Sequence, residues 1–146
     1  MEDILNNVFS YGFHDTDIDN IIIENNEIIL CFDKGLYTLD ENNNEDKLVL
    51  GIKMIITVEL FNECGDASDN INVWESKNGD LNLKNVLKKI SKSSFGIENL
   101  YFSSFNNSIL IDGYYNNESN FRKGINHKML IVIENCIKIR YERNLL

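Results

Sequence analysis

The sequence contains no proline, and its eight glycines are scattered. Neither GxGxxG nor GxxxxGKS/T occurs, so no loop is present to cradle the phosphates of a nucleotide cofactor. No GxSxG elbow marks a serine nucleophile. The three cysteines form neither a CxxC nor a Cys/His spacing, which argues against a disulfide framework and against a zinc site. Cys31 and Cys136 stand inside apolar runs, where a free thiol serves as a small core residue. No run reaches the roughly 18 continuous apolar residues of a membrane span. The opening MEDILNNVFS is acidic and amphipathic, unlike a secretory signal. A cytoplasmic protein without membrane contact is therefore expected. Positive charge is scarce too: 14 Lys and Arg face 23 Asp and Glu, a net charge of -9. Nucleic acid is a poor partner for such a chain, because binding it takes a basic footprint that displaces counterions. A basic protein would instead be attracted. The missing proline, with abundant Asn and Ile and more Lys than Arg, fits the codon bias of an AT-rich bacterial genome.

What is present is two-residue periodicity. The 146 residues suit one domain, 1–146, able to bury roughly 70% of its unfolded surface. In DNIIIENNEIILCFD, Asn25-Asn26 suits a type I′ turn, pairing Ile23 with Ile28, Ile21 with Leu30 and Asp19 with Phe32. HKMLIVIENCIKIRYE reads as the same solution about Glu134-Asn135, with Val132 facing Ile137, Leu130 facing Ile139 and His127 facing Glu142. IKMIITVELF alternates, with NINVWES as a shorter partner strand. IENLYFSSF and SILIDGYY flank Asn106-Asn107 as a third hairpin, and GLYTL is a short strand ahead of DENNNED. ENLYFS looks like a piece of a protease-cleavage tag. It lacks the required glutamine and continues an alternating strand, so it reads as native. One helix is plain: Asp80 can cap LNLKNVLKKISKS, whose Leu83, Val86, Leu87 and Ile90 share a face, and Gly96 can end it. A short helix is expected at residues 2–9. The fold class is α+β, a single domain built mainly of an antiparallel β-sheet of about seven to nine strands arranged in hairpins, with one covering helix near residues 80–93.

Candidate chemistry gathers in HDTDIDN. The spacing of Asp15, Asp17 and Asp19 copies the start of a calcium loop, but its glycine and glutamate positions hold Asn20 and Asn26. His14 and Asp15 could form an acid–base pair, yet neighbours on extended chain point to opposite sides. The competing reading makes the aspartates the solvated start of a strand. No catalytic set, metal set or cofactor is assigned.

The stretch FHDTDIDNIIIENNEIILCF, in which an aromatic residue and His-Asp lead into a hairpin, resembles the start of small bacterial immunity-type proteins. These are the antidotes encoded beside polymorphic secreted toxins. The resemblance covers about the first 35 residues and carries over His14 and Asp15. It implies a stoichiometric protein-binding inhibitor that occludes a toxin's active site. Many such toxins are nucleases with basic clefts, where an inhibitor's carboxylates would stand in for phosphates. Beside His14 and Asp15, the candidate contacts are then Asp17 and the acidic loop with Asp40, Glu41, Glu45 and Asp46. Tyr114, Tyr115 and Phe121 in YYNNESNF would be its aromatic anchors. The rival reading is a small-molecule- or metal-binding module or enzyme, with a pocket of His14, Asp17 and His127. An open sheet edge would also permit a homo-oligomer.

Overall fold

The alternating stretches become strands in the computed structural model, which describes residues 4–75, 79–116 and 128–143. Helix α1 (Ile4–Val8) is followed by strands β1 (Tyr11–Gly12), β2 (Asp17–Ile18), β3 (Asn20–Glu24), β4 (Glu27–Phe32), β5 (Leu36–Leu39), β6 (Glu45–Val49) and β7 (Ile52–Val58). A single 3-10 turn, Ala67–Asn70, leads into β8 (Ile71–Glu75) and β9 (Gly79–Asp80). Helix α2 (Leu83–Ser93) then precedes β10 (Phe95–Ser103), β11 (Ser108–Tyr115), β12 (Met129–Ile133) and β13 (Cys136–Arg143). The described residues thus hold thirteen strands, more than the seven to nine expected, because several two-residue strands are invisible to periodicity. The class is as expected: mostly antiparallel sheet with few helices.

Three sheets share these strands: a four-stranded one in the order β13-β7-β4-β3, a six-stranded one in the order β2-β10-β11-β12-β8-β9, and a small one, β1-β5-β6. The two larger sheets turn their apolar sides to a common core. Ile28, Leu30, Met54 and Ile56 come from one, and Ile109, Ile111, Ile131 and Ile133 from the other. Helix α2 packs against β3, β8 and β11, burying Val86 and Ile90. Its cap is Asn82, whose side chain accepts from the Asn85 N–H at 3.2 Å, and not Asp80, which already belongs to β9. It ends at Ser94, at φ 63°, whereas Gly96 lies in β10. Ser94 tolerates this conformation because its groups are all engaged. Its N–H donates to the Ile90 carbonyl, its hydroxyl to Asp19, and its carbonyl accepts from the Asn116 N–H. Gly113 is a glycine of necessity, since a Cβ there would stand 1.9 Å from the Gly96 carbonyl oxygen on the neighbouring strand.

The first hairpin has the expected register, Ile23 opposite Ile28 and Ile21 opposite Leu30. Only Asn25 of its loop takes a positive φ, 51°, the φ pattern of a type II′ rather than a type I′ turn. The third hairpin is also present, with residues 104–107 as its loop and positive φ at Asn106 and Asn107.

The C-terminal hairpin is not formed. Strand β12 pairs with β11 and β8 in the six-stranded sheet, while β13 crosses to pair with β7 in the four-stranded one. Strand β8, expected beside β7, lies beside β12 instead. The reason is burial. A hairpin would put both strands in one sheet and leave β7 with a bare edge. The crossing lets each strand add its apolar side to a different half of the core. A bulge between Cys136 and Lys138 turns Ile137 outward and keeps Ile139 inside. Asn70 clasps the crossing: its side-chain amide donates to the carbonyls of Glu59 (2.8 Å) and Glu134 (3.1 Å), and its own carbonyl accepts from the Glu134 N–H (2.8 Å).

Candidate functional site

Between β1 and β2 the chain makes a tight turn. Thr16 donates to the Phe13 carbonyl through its hydroxyl (2.6 Å) and its N–H (3.2 Å), and Phe13 is pinned inside against the Phe32 ring. The turn forces Asp15 to φ 56°. His14 and Asp15 therefore meet, Nε2 to Oδ2 at 3.3 Å, contrary to the expectation for extended chain. Both side chains are largely solvent-exposed, 72% and 83%, so this is a surface pair of small energetic weight.

Asp17 and Asp19 turn the other way. Asp19 accepts from the N–H groups of Asp33 (2.9 Å) and Lys34 (3.3 Å) and from the Ser94 hydroxyl (2.6 Å). Asp17 accepts from the Asn116 side-chain amide (2.8 Å) and lies 3.4 Å from the Lys34 ammonium. Burial pulls the Lys34 pKa down, but the carboxylates of Asp17 and Asp19 outweigh it and hold the ammonium above the ordinary lysine value. These two aspartates tie the first hairpin to the end of α2 and to β11. Asp17, expected as a partner contact, has its oxygens engaged by Asn116 and Lys34.

The acidic stretch 40–46 is not wholly a loop. Its second part, Glu45 and Asp46, opens strand β6, because β5 and β6 pair around a turn built by Asp40. Asp40 Oδ1 accepts from the N–H groups of Asn42 and Asn44, both at 2.9 Å, and Asn43 supplies the positive φ, 61°. The carboxylates of Glu41 and Asp46 stand in solvent. Glu45 reaches back across the small sheet, where its Oε1 accepts from the His14 N–H at 3.2 Å. A Cβ at Gly12 would meet the Glu45 side chain at 2.7 Å, so the glycine is what lets it lie there.

The structure thus brings His14, Asp15 and the acidic hairpin to one rim. Of these, His14, Asn43 and Glu45 line a groove of about 670 Å³. Tyr11 and Phe13 line it from β1 and the turn that follows, and Phe9 from the end of α1. Across from them stand Ile97, Glu98 and Leu100 of β10. Among the described residues the groove lining includes Glu45 and Glu98 and neither Lys nor Arg. Sequence reasoning missed Glu98 and Phe9, because nothing local reveals that β10 passes opposite β1.

The aromatic candidates divide. Tyr115 is a packing residue, edge-on to Phe95 at 6.4 Å with the Lys89 ammonium 4.3 Å above its ring. Tyr114 sits beside Glu98, and burial followed by that carboxylate raises its phenol above the ordinary tyrosine range. Lys128 completes this group, 3.4 Å from Asp112 and 3.7 Å from Glu98. Phe121 and His127 lie outside the described residues. Asp17 does not line the groove. Among the described residues no three His, Cys, Asp or Glu side chains are placed to hold a metal ion, and no helix is long and apolar enough to cross a membrane.

Comparison with family models, curated proteins and solved structures yields no match.

Proposed function

We propose that the protein is a stoichiometric inhibitor of a basic protein, an immunity-type antidote that occludes the active site of a bacterial toxin. One observation carries the reading: the His14–Asp15 turn and the acidic β5–β6 hairpin, far apart in sequence, are joined through Glu45 into one carboxylate rim beside a groove that, among the described residues, has no Lys or Arg in its lining. Exposed carboxylates at Asp15, Glu41 and Asp46 would steer a cationic cleft towards the rim and take the places that phosphates occupy in it. The partly exposed apolar residues of the groove, Tyr11 and Leu100, with the exposed Phe9, would supply the desolvated contacts that set the dissociation rate.

The reading is tested by affinity capture from lysate and culture medium of the source organism, at low and then moderate salt. Titrating the captured protein's own activity with the chain completes the test. A single basic protein, retained in about equal amount and silenced at one-to-one stoichiometry, is the expected result. A captured protein whose activity is untouched by excess chain would overturn the reading.

A further inference from the structure

The groove is walled on one side by a strand whose outer edge, among the described residues, is open beyond Ile97. Strand β10 pairs with β11 along its length, but β2 covers its other side only at Phe95 and Gly96, with one more backbone bond from the Ile97 N–H to the Thr16 carbonyl. Over residues 98–103 no strand among the described residues lies on that side. In an antiparallel ladder alternate N–H and C=O groups of such a strand point away from its partner and stay free to bond. Natural proteins blunt exposed edges with lysine, proline or bulges. This edge reads ENLYFS, with neither lysine nor proline, and its one bulge falls at the start, between Ile97 and Asn99. Leu100 and Phe102 lean on the core while Tyr101 stands exposed, so the edge is held rigidly and offers side chains on both faces.

We infer that the inhibited partner is engaged by strand addition: an extended basic segment of it lies in the groove and pairs with β10 over residues 98–103. This rests on the proposed inhibitor function and says how the rim and the groove act together. Charge selects the occupant. A second copy of the chain pairing edge to edge would bring Glu98 and the acidic rim of each copy towards the other, in a chain of net charge -9. A segment alternating Lys or Arg with β-branched residues would instead set its cations against Glu45, and against Glu98 alongside Lys128, while its backbone completes the ladder.

The test uses a short peptide of alternating lysine and valine, its counterpart with glutamate for lysine, and the lysine peptide N-methylated at alternate amides in each of the two registers. Binding is followed by calorimetry, and the chain's amide exchange is followed by NMR. The lysine peptide is expected to slow exchange at alternate amides of residues 98–103. N-methylation in one register should weaken it about tenfold or more through lost backbone bonds, and the glutamate peptide should not bind. Equal binding of all the lysine peptides, with exchange at 98–103 unchanged, would overturn strand addition and leave only charge attraction. A chain that sediments as a dimer with those amides already protected would overturn it too, the edge being filled by a second copy. The two readings fail separately. A captured partner silenced one-to-one without protection at 98–103 removes strand addition and keeps the inhibitor. Peptide addition to β10 without any silenced partner does the reverse.

Discussion

In the segment 15–19 and in the segment 40–46, acidic side chains recur at similar density, yet the fold uses them differently. Asp17 and Asp19 accept hydrogen bonds from three separate elements and share the Lys34 ammonium. The Glu41 and Asp46 side chains are exposed, and Asp40 and Glu45 serve mainly to hold the turn and its neighbour in place. A carboxylate that accepts from several neighbouring elements is part of the scaffold, whereas one held out on the hairpin keeps its charge in solvent. Acidity of sequence does not separate the two.

The comparison breaks most visibly at Asp19. Asp19→Ala strands two backbone N–H groups and the Ser94 hydroxyl. Because both N–H groups are solvent-accessible and can rehydrate, it is expected to lower stability by about 1.5 kcal/mol, read from the urea midpoint. An effect under about 0.5 kcal/mol would place Asp19 with the surface acids. Asp17→Ala loses the Asn116 bond and half of the Lys34 pairing at a more open site, and should cost about 1 kcal/mol.

Alkaline titration sharpens the same contrast between inside and outside. Burial pushes the Cys136 thiol up to about 12 from its ordinary 9.0. A group whose folded pKa is raised contributes stability that is complete below its unfolded pKa and is lost as pH rises through the folded one. Urea stability should therefore fall as pH climbs from 9.0 towards about 12, and Cys136→Ala should flatten that decline. In the same range a thiol reagent should modify exposed Cys64 first and buried Cys136 last. Rapid labelling of Cys136 in the folded chain would contradict its place in the core.

The smallest effect on stability is expected where the effect on binding is largest. Replacing Asp40, Glu41, Glu45 and Asp46 together by Asn or Gln keeps the turn acceptors and should change the stability read from urea unfolding by about 0.5 kcal/mol or less.

IIIENNEI and IVIENCI show how far the sequence could be read. They are nearly the same phrase, and local pattern makes both hairpins. The first becomes one, because β3 and β4 each have an inward apolar set for a single sheet. The second becomes a crossing between sheets, because β7 and β8 were waiting for partners that no local window contains. Helix α2 was legible from its apolar stripe, but its caps were not, since Asp80 and Gly96 were claimed by strands. Within the site, residues 14, 15 and 40–46 were legible as acidic, polar positions. Their meeting depends on the bond from the His14 N–H to Glu45, 31 residues away. The facing wall, 97–100, was read only as a strand, for its distance from β1 is a property of the completed sheets.

The most direct test of the acidic rim is a calorimetric titration of the captured basic protein into the native chain and into the four-fold neutralised variant, at low and moderate salt. The account predicts one-to-one binding by the native chain, weakened by salt, and a loss of about tenfold or more for the variant with its urea midpoint unchanged. Equal affinity of the two chains at both salts would contradict it.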